Sequence, residues 1–70
     1  NIGQYSQAIK DYNKAIELSP NHALAYYGRG FAYIMLGMDK LGCKDLQKAC
    51  LLGVCNGLET ARRSGFCLIQ

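Results

Sequence analysis

Apolar residues recur along the first part of the chain at the spacing of an amphipathic helix. Between Gln4 and Leu18 they return every three or four positions, and charged or amide side chains fill the positions between them; the apolar set is Tyr5, Ala8, Ile9, Tyr12, Ala15 and Ile16. That period places the set on one side of an α-helix. Pro20 ends the element because proline disfavours helical geometry in the residue before it. The pattern predicts a first helix over residues 4–18.

Three further helices follow, separated by short turns. The second, over residues 22–36, is apolar nearly all round and therefore needs cover on more than one side. Gly37 and Gly53 end the second and third helices, because glycine readily adopts the left-handed conformation that terminates a helix. The third and fourth helices are predicted over residues 39–52 and 56–64. Turns this short make consecutive helices antiparallel, so the predicted fold class is all-α, built from helical hairpins.

The sequence contains an internal repeat with a period of 34 residues. Shifted by that distance, the chain matches itself at eight positions, namely Gly3/Gly37, Lys10/Lys44, Asp11/Asp45, Lys14/Lys48, Ala15/Ala49, Leu18/Leu52, Leu24/Leu58 and Arg29/Arg63. A chain of this composition would give roughly two to three such matches by chance, and 34 residues is a period of helical solenoids. The repeat therefore predicts an α-solenoid, in which each helical hairpin stacks on its neighbours.

The spacing of small and aromatic residues resembles that of the tetratricopeptide repeat. Two stretches carry the resemblance: Gly3-x-Tyr5-x-x-Ala8-x-x-x-Tyr12-x-x-Ala15 followed by Pro20, and Tyr26-x-x-x-Gly30-x-x-Tyr33-x-x-x-Gly37. The first is similar to the second helix of such a repeat, and the second is similar to the first helix of the next. Gly42, Leu46 and Val54 depart from the family pattern. The resemblance implies half a repeat over residues 1–20, a full repeat over 21–54 and a terminal capping helix over 55–70.

The resemblance also implies a function in protein–protein interaction. In this family the first helix of each repeat lines a concave groove, which by position corresponds here to Leu24, Tyr27, Phe31, Ile34 and Met35. Because this set is apolar, the expected partner is an apolar peptide segment or an amphipathic helix. Members that clamp a terminal carboxylate use Lys, Arg and Asn along this surface. Here the Asn position is occupied by a glycine, and the helix has no Lys.

Three alternatives to that groove stay open. The chain can be the structural C-terminal cap of a longer solenoid, of which we interpret it as a fragment. It can be a self-association module, because apolar surface left by an incomplete repeat would be covered in a homodimer or higher oligomer. It can also bind an anionic partner through basic residues of the last two helices, which are Lys40, Lys44, Lys48, Arg62 and Arg63.

The four cysteines admit more than one interpretation. Cys43 and Cys50 occupy positions where the preceding repeat has isoleucine, so we interpret them as small core residues. Cys55 and Cys67 flank the last helix, and a bridge from Cys67 to Cys50 or Cys55 would attach that helix to the body; the sequence does not choose among the complete pairings. A distant similarity to Sel1-like cysteine-rich repeats implies helix-linking disulfides in secreted proteins. The chain is therefore expected in the cytoplasm if its thiols are reduced, and in the periplasm or outside the cell if they are bonded.

Composition and motifs narrow the classes of function. The net charge of +3 comes from basic residues interleaved with acidic ones, so no nucleic-acid surface is predicted. The apolar runs are too short for a membrane span. No nucleophile elbow, zinc-protease motif or phosphate-binding glycine loop occurs, so we expect no enzyme. His22 is the single histidine and is remote from the cysteines, so neither a metal ion nor another cofactor is expected.

Overall fold

A computed structural model describes residues 2–67 as four α-helices joined by short turns. The helices are α1 (Ile2–Leu18), α2 (Ala23–Met35), α3 (Asp39–Leu51) and α4 (Asn56–Arg63). They confirm the predicted all-α fold, and their ends lie within two residues of the predicted ones. The division of the chain into two partial repeats and one full repeat stays a prediction, and its positions 1 and 68–70 lie outside the described residues. No helix within the described range is long and apolar enough to cross a membrane.

Gly37 ends α2 and Gly53 ends α3, at the turns where the sequence predicts them. Gly37 and Gly53 have φ angles of 82° and 110°, in the left-handed region that side chains other than glycine rarely adopt. The following backbone N–H then reaches back into the helix: Met38 donates to the carbonyl oxygen of Tyr33 at 2.9 Å, and Val54 donates to that of Ala49 at 2.8 Å. These bonds satisfy carbonyl groups that the helix end leaves unpaired, so each turn is defined by its glycine.

The start of α2 is capped by a residue that the sequence did not single out for this role. Nδ1 of the exposed His22 accepts a hydrogen bond from the backbone N–H of Ala25 at 3.3 Å. This bond satisfies one of the N–H groups that a helix start leaves without an internal partner. His22 thus has a local structural role.

The core lies among α2, α3, α4 and the segment that follows α4. Its buried members are Ile34, Cys43, Leu46, Leu58, Ala61 and Cys67. Over Ile2–Leu18, by contrast, no residue is fully buried, and α1 packs mainly on α2. The molecule is only 15 Å thick along its shortest axis. Helix α1 is therefore the least covered of the four helices.

Helices α2 and α3 cross where two glycines face each other. A methyl carbon placed on Gly42 would lie 2.5 Å from Cγ1 of Ile34 and 2.6 Å from the carbonyl oxygen of Gly30. A methyl carbon on Gly30 would lie 2.9 Å from the carbonyl oxygen of Gly42. Because carbon atoms do not approach other atoms so closely, alanine at either position would push the helices apart. This close crossing is the physical reason that Gly42 departs from the family pattern, which prefers alanine.

Candidate protein-interaction surface

Four of the five residues predicted to line the groove lie at the surface of α2. Leu24 is 61% exposed, Met35 is also exposed, and Tyr27 and Phe31 are half-buried. Ile34 differs because it is only 5% exposed and lies in the core, where it contacts the α2–α3 crossing. We correct the predicted set accordingly: Leu24, Tyr27, Phe31 and Met35 form what we name the open face of α2, and Ile34 is excluded from it.

The two aromatic rings of the open face are held in fixed positions. The rings of Tyr27 and Phe31 meet edge to face, with centroids 5.2 Å apart and planes at 82°. Both side chains also pack against the core. A methyl carbon on Gly57 of α4 would lie 2.7 Å from the Tyr27 ring. The ring therefore packs directly against the α4 backbone, where glycine has no side chain. Rings that are already ordered lose little conformational entropy when a ligand binds them.

A cleft of about 470 Å³ separates α1 from α2 and adjoins the open face. Its walls include Tyr12 and Ala15 of α1 and Leu24 and Tyr27 of α2, and the exposed Asp11 and His22 also line it. The cleft is therefore largely apolar and carries one carboxylate. We name it the α1–α2 cleft.

The floor of this cleft does not admit the polar side chain that a carboxylate clamp requires. By the resemblance to the tetratricopeptide repeat, Gly28 occupies the position where clamping members have Asn. A side-chain carbon placed on Gly28 would overlap the ring of Tyr12. Asparagine would fit here only if the Tyr12 ring moved. The packing of Tyr12 against Gly28 therefore agrees with the apolar character of α2 in the sequence.

Arg29 fixes α2 between α1 and α3. Its Nε and Nη2 donate to the two carboxylate oxygens of Asp45 at 2.7 and 2.8 Å, and its Nη1 donates to the side-chain oxygen of Asn13 at 2.8 Å. The guanidinium carbon also lies 5.5 Å from the ring centroid of Tyr26 and 5.9 Å from that of Tyr33. The hydrogen bonds to Asp45 raise the pKa of Arg29 above its ordinary value, and its partial burial opposes this effect only in part. Arg29 is therefore a structural cation, already engaged within the fold.

This network was missed from the sequence, although a signal for it existed. Arg29 and Asp45 are two of the eight positions that match across the 34-residue repeat, where their equivalents are Arg63 and Asp11. Two opposite charges that recur at the same register in a solenoid indicate a contact between its helices.

The structure joins the four cysteines in two disulfides, Cys43–Cys67 and Cys50–Cys55. The attachment of Cys67 to Cys50 or Cys55 that the sequence suggested is corrected to Cys43, because the chain turns back after α4 towards the first half of α3. Cys43 keeps the core position that its register indicates, and it is also one half of a bridge. Cys50–Cys55 spans the turn between α3 and α4. Within residues 2–67 no three His, Cys, Asp or Glu side chains are grouped to hold a metal ion.

The basic residues of the last two helices border two different depressions. Lys40 and Lys44 lie beside Phe66, in a depression that also includes Asp39. Arg62 borders another depression, which it shares with Leu51. These three basic side chains are therefore divided between two places, one of which contains an acid. Lys48 lies at a third place, with its Nζ 6.0 Å from the ring centroid of Tyr26.

Comparison with known proteins identifies the repeat. The TPR repeat family model matches residues 2–37, which are 36 of the 70 residues. Hsp70-Hsp90 organizing protein 3 of Arabidopsis thaliana is 40% identical and Hsp70-Hsp90 organizing protein of Triticum aestivum is 42% identical, each over 45 residues. Each alignment covers 64% of this chain and only 8% of the relative's length. No solved structure matches the chain significantly.

The family model covers α1, α2 and the turn that ends α2. These are the elements in which the small and aromatic residues have the family's spacing, and the turn is closed by Gly37. Sequence match and helical architecture thus agree over the same residues. The chain belongs to the tetratricopeptide-repeat family.

Proposed function

We propose that the chain is a protein–protein interaction module, and that the open face of α2 binds an apolar peptide segment or an amphipathic helix of a partner protein. The exposure of Leu24 carries the proposal: this leucine lies in the first turn of α2, a helix that packs against both α1 and α3, and it is 61% exposed. Burying that surface would contribute roughly 1 to 2 kcal/mol. Tyr27, Phe31 and Met35 extend the apolar area along the same side of the helix.

The chemistry of α2 supports an apolar ligand over one recognised by its terminal carboxylate. Helix α2 has no Lys, and the hydrogen-bonding capacity of Arg29 is already directed at Asp45 and Asn13. The names of the two relatives connect them to Hsp70 and Hsp90, which supports a protein as the partner class. The proposal assigns no catalytic step and no cofactor to the chain.

A structural C-terminal cap is a second candidate function. One observation favours it: the Cys43–Cys67 bridge holds the segment after α4 against α3, and Cys67 is fully buried there. A self-association module is a third, since a second copy could cover the open face of α2. Light scattering across a concentration series would detect that copy as a doubled mass.

The two disulfides support an oxidising compartment for the chain, because such bonds persist outside the cytosol. The similarity to Sel1-like cysteine-rich repeats belongs to this part of the proposal. Recovery of the chain from its source with all four thiols already alkylatable would exclude that location.

Selection of peptides against the oxidised chain tests the proposed function. A displayed library of amphipathic helical peptides would be enriched on the wild-type chain, and the recovered peptides would be measured by fluorescence anisotropy. We expect these peptides to carry an apolar stripe and to lose at least about tenfold in affinity on Leu24→Glu, since a carboxylate would have to be desolvated in the contact.

Leu51→Glu is the matched control, because Leu51 is 83% exposed at the end of α3 and lies outside the open face. It makes the same chemical change at a leucine that is even more exposed than Leu24. The proposed function is contradicted if no peptide is enriched, or if the recovered peptides bind the Leu24→Glu variant as well as the wild type.

A further inference from the structure

The two disulfides of the chain differ in how well an external thiol can reach them. Cys43 and Cys67 are 4% and 1% exposed, and both belong to the core cluster. Cys50 and Cys55 are half-buried, and Cys50 lines a surface depression together with Arg62. Thiol–disulfide exchange requires a thiolate to reach a sulfur atom of the bridge. Of the two bridges, Cys50–Cys55 is the one that meets this condition.

The turn that contains this bridge is closed by its own backbone. The N–H of Gly53 donates to the carbonyl oxygen of Cys50 at 3.0 Å, and the N–H of Val54 donates to that of Ala49 at 2.8 Å. The turn that ends α2 has the same two backbone bonds around Gly37, and it contains no cysteine. A turn of this kind therefore does not require a disulfide, so the bridge can open while the backbone of the turn stays closed.

Helix α4 stays attached to the body when the short bridge opens. Cys43–Cys67 holds the segment after α4 against α3, and Leu58 and Ala61 of α4 are buried in the core. The short bridge closes a separation of 5 residues against 24 for the long one, so it restricts the unfolded chain less. The buried bridge is therefore the structural one, and the accessible bridge is the one that can change its oxidation state within the folded molecule.

The surroundings of the accessible bridge distinguish its two sulfur atoms. Cys55 is the N-cap residue of α4, and its side chain makes no capping hydrogen bond there. The N–H groups that a helix start leaves without internal partners stabilise negative charge, so Cys55 is the better leaving thiolate. Cys50 lies beside Arg62, whose positive charge attracts an incoming thiolate. The arrangement thus favours attack on Cys50 and departure of Cys55.

We propose that Cys50–Cys55 is a thiol–disulfide exchange site, at which one disulfide of the chain oxidises one pair of external thiols. A thiolate attacks Sγ of Cys50 and forms a mixed disulfide, while the Cys50–Cys55 bond breaks and leaves its electron pair on Sγ of Cys55. A second thiolate attacks the external sulfur of the mixed disulfide, and Cys50 leaves as a thiolate. The two external thiols end as a disulfide, and the protons they lose are balanced by those that Cys50 and Cys55 take up from water. This activity is independent of the open face of α2.

Equilibration of the oxidised 70-residue chain in glutathione redox buffers tests the inference. After an acid quench, alkylation and peptide mass spectrometry would report which cysteines are free. We expect Cys50 and Cys55 to become free at ratios of reduced to oxidised glutathione at which Cys43 and Cys67 stay bonded. A chain opened at the short bridge alone should keep its circular dichroism spectrum. Reduction of the two bridges together, or of Cys43–Cys67 first, would overturn the inference.

The roles of the two sulfur atoms have their own readout. The mixed disulfide with glutathione should be recovered on Cys50, and its recovery on Cys55 would overturn the assigned roles. Arg62→Glu should slow exchange with the negatively charged glutathione thiolate at least about threefold at low salt. Arg63→Glu is the matched control, because the exposed Arg63 does not line the depression and its substitution changes the net charge equally. Equal slowing by the two substitutions would contradict the placement of the site beside Arg62.

A reduced peptide with two cysteines distinguishes a protein thiol from a small-molecule thiol as the reactant. Oxidation of this peptide by the chain would support a protein thiol, whereas reaction with glutathione alone would support a small one; reaction with neither would overturn the inference. Cys50→Ser with Cys55→Ser should abolish the exchange, and Cys43→Ser with Cys67→Ser should retain it. If the latter variant does not fold, the order in which the wild-type bridges are reduced decides the matter.

Discussion

At the scale of single residues, Arg29 sets the relative positions of three helices. It makes a two-pronged ion pair with Asp45 and a further hydrogen bond with Asn13, so α2 is tied to both of its neighbours. The carboxylate of Asp45 is buried, and its desolvation is compensated by the guanidinium that faces it. Loss of Arg29 would therefore leave a buried carboxylate without its partner, whereas loss of Asp45 would leave a cation that is only half-buried.

Arg29→Met should lower the free energy of unfolding by about 2 to 3 kcal/mol, because it leaves a buried carboxylate without a partner. Urea denaturation of the oxidised chain measures this change. The double variant Arg29→Met with Asp45→Leu should recover most of the loss, since both charges are then removed together. If the double variant is as unstable as the single one, the buried ion pair is not the source of the effect.

The burial of Ile34 could not be predicted from its own helix, because it depends on how two helices meet. The resemblance to the repeat placed both Ile34 and Met35 along the groove, and neighbouring positions on a helix differ by little more than a quarter turn. Which of the two points inward depends on the α3 backbone at Gly42, which leaves room for Ile34. That close approach is a tertiary feature, and periodicity along one helix does not contain it.

At the scale of elements, the helix boundaries followed from local chemistry. Gly37 and Gly53 end helices through their own backbone conformation, so their positions in the sequence were sufficient. The crossing of α2 and α3 is different, because two glycines on separate helices have to coincide. The small size of Gly30 and Gly42 indicated that helices approach closely at these positions, but the sequence did not show that the two glycines face each other.

Gly42→Ala should destabilise the chain by about 2 kcal/mol, because its methyl group would overlap Ile34 and the Gly30 carbonyl. Alanine has the higher helix propensity, so a loss here isolates the steric effect. Gly3→Ala, on an exposed turn of α1, is the control and should be neutral or slightly stabilising. Thermal denaturation of the two variants compares them, and a stable Gly42→Ala variant would mean that α2 and α3 are farther apart than described.

At the scale of the whole molecule, the disulfides compensate for a small core. The partner of Cys67 could not be predicted, because it depends on the path of the chain after Gly65, where no periodic pattern constrains it. Cys43–Cys67 closes a separation of 24 residues, whereas Cys50–Cys55 closes one of 5. The longer loop restricts the unfolded chain more.

Removal of the long bridge should therefore cost more stability than removal of the short one. Cys43→Ser with Cys67→Ser is expected to lower the free energy of unfolding by about 3 to 4 kcal/mol, against about 2 kcal/mol for Cys50→Ser with Cys55→Ser. Urea denaturation without reductant measures both pairs of substitutions. If removal of the short bridge costs more stability than removal of the long one, the bridges do not stabilise the fold mainly by restricting the unfolded chain.

Nuclear magnetic resonance mapping tests most directly the central claim that the chain binds a partner through the open face of α2. The ¹⁵N-labelled oxidised chain would be titrated with a peptide recovered from the displayed library. The account predicts that amide shifts concentrate on α2 between Leu24 and Met35. Shifts confined to the outer surfaces of α3 and α4, around Leu51 and Arg62, would contradict it.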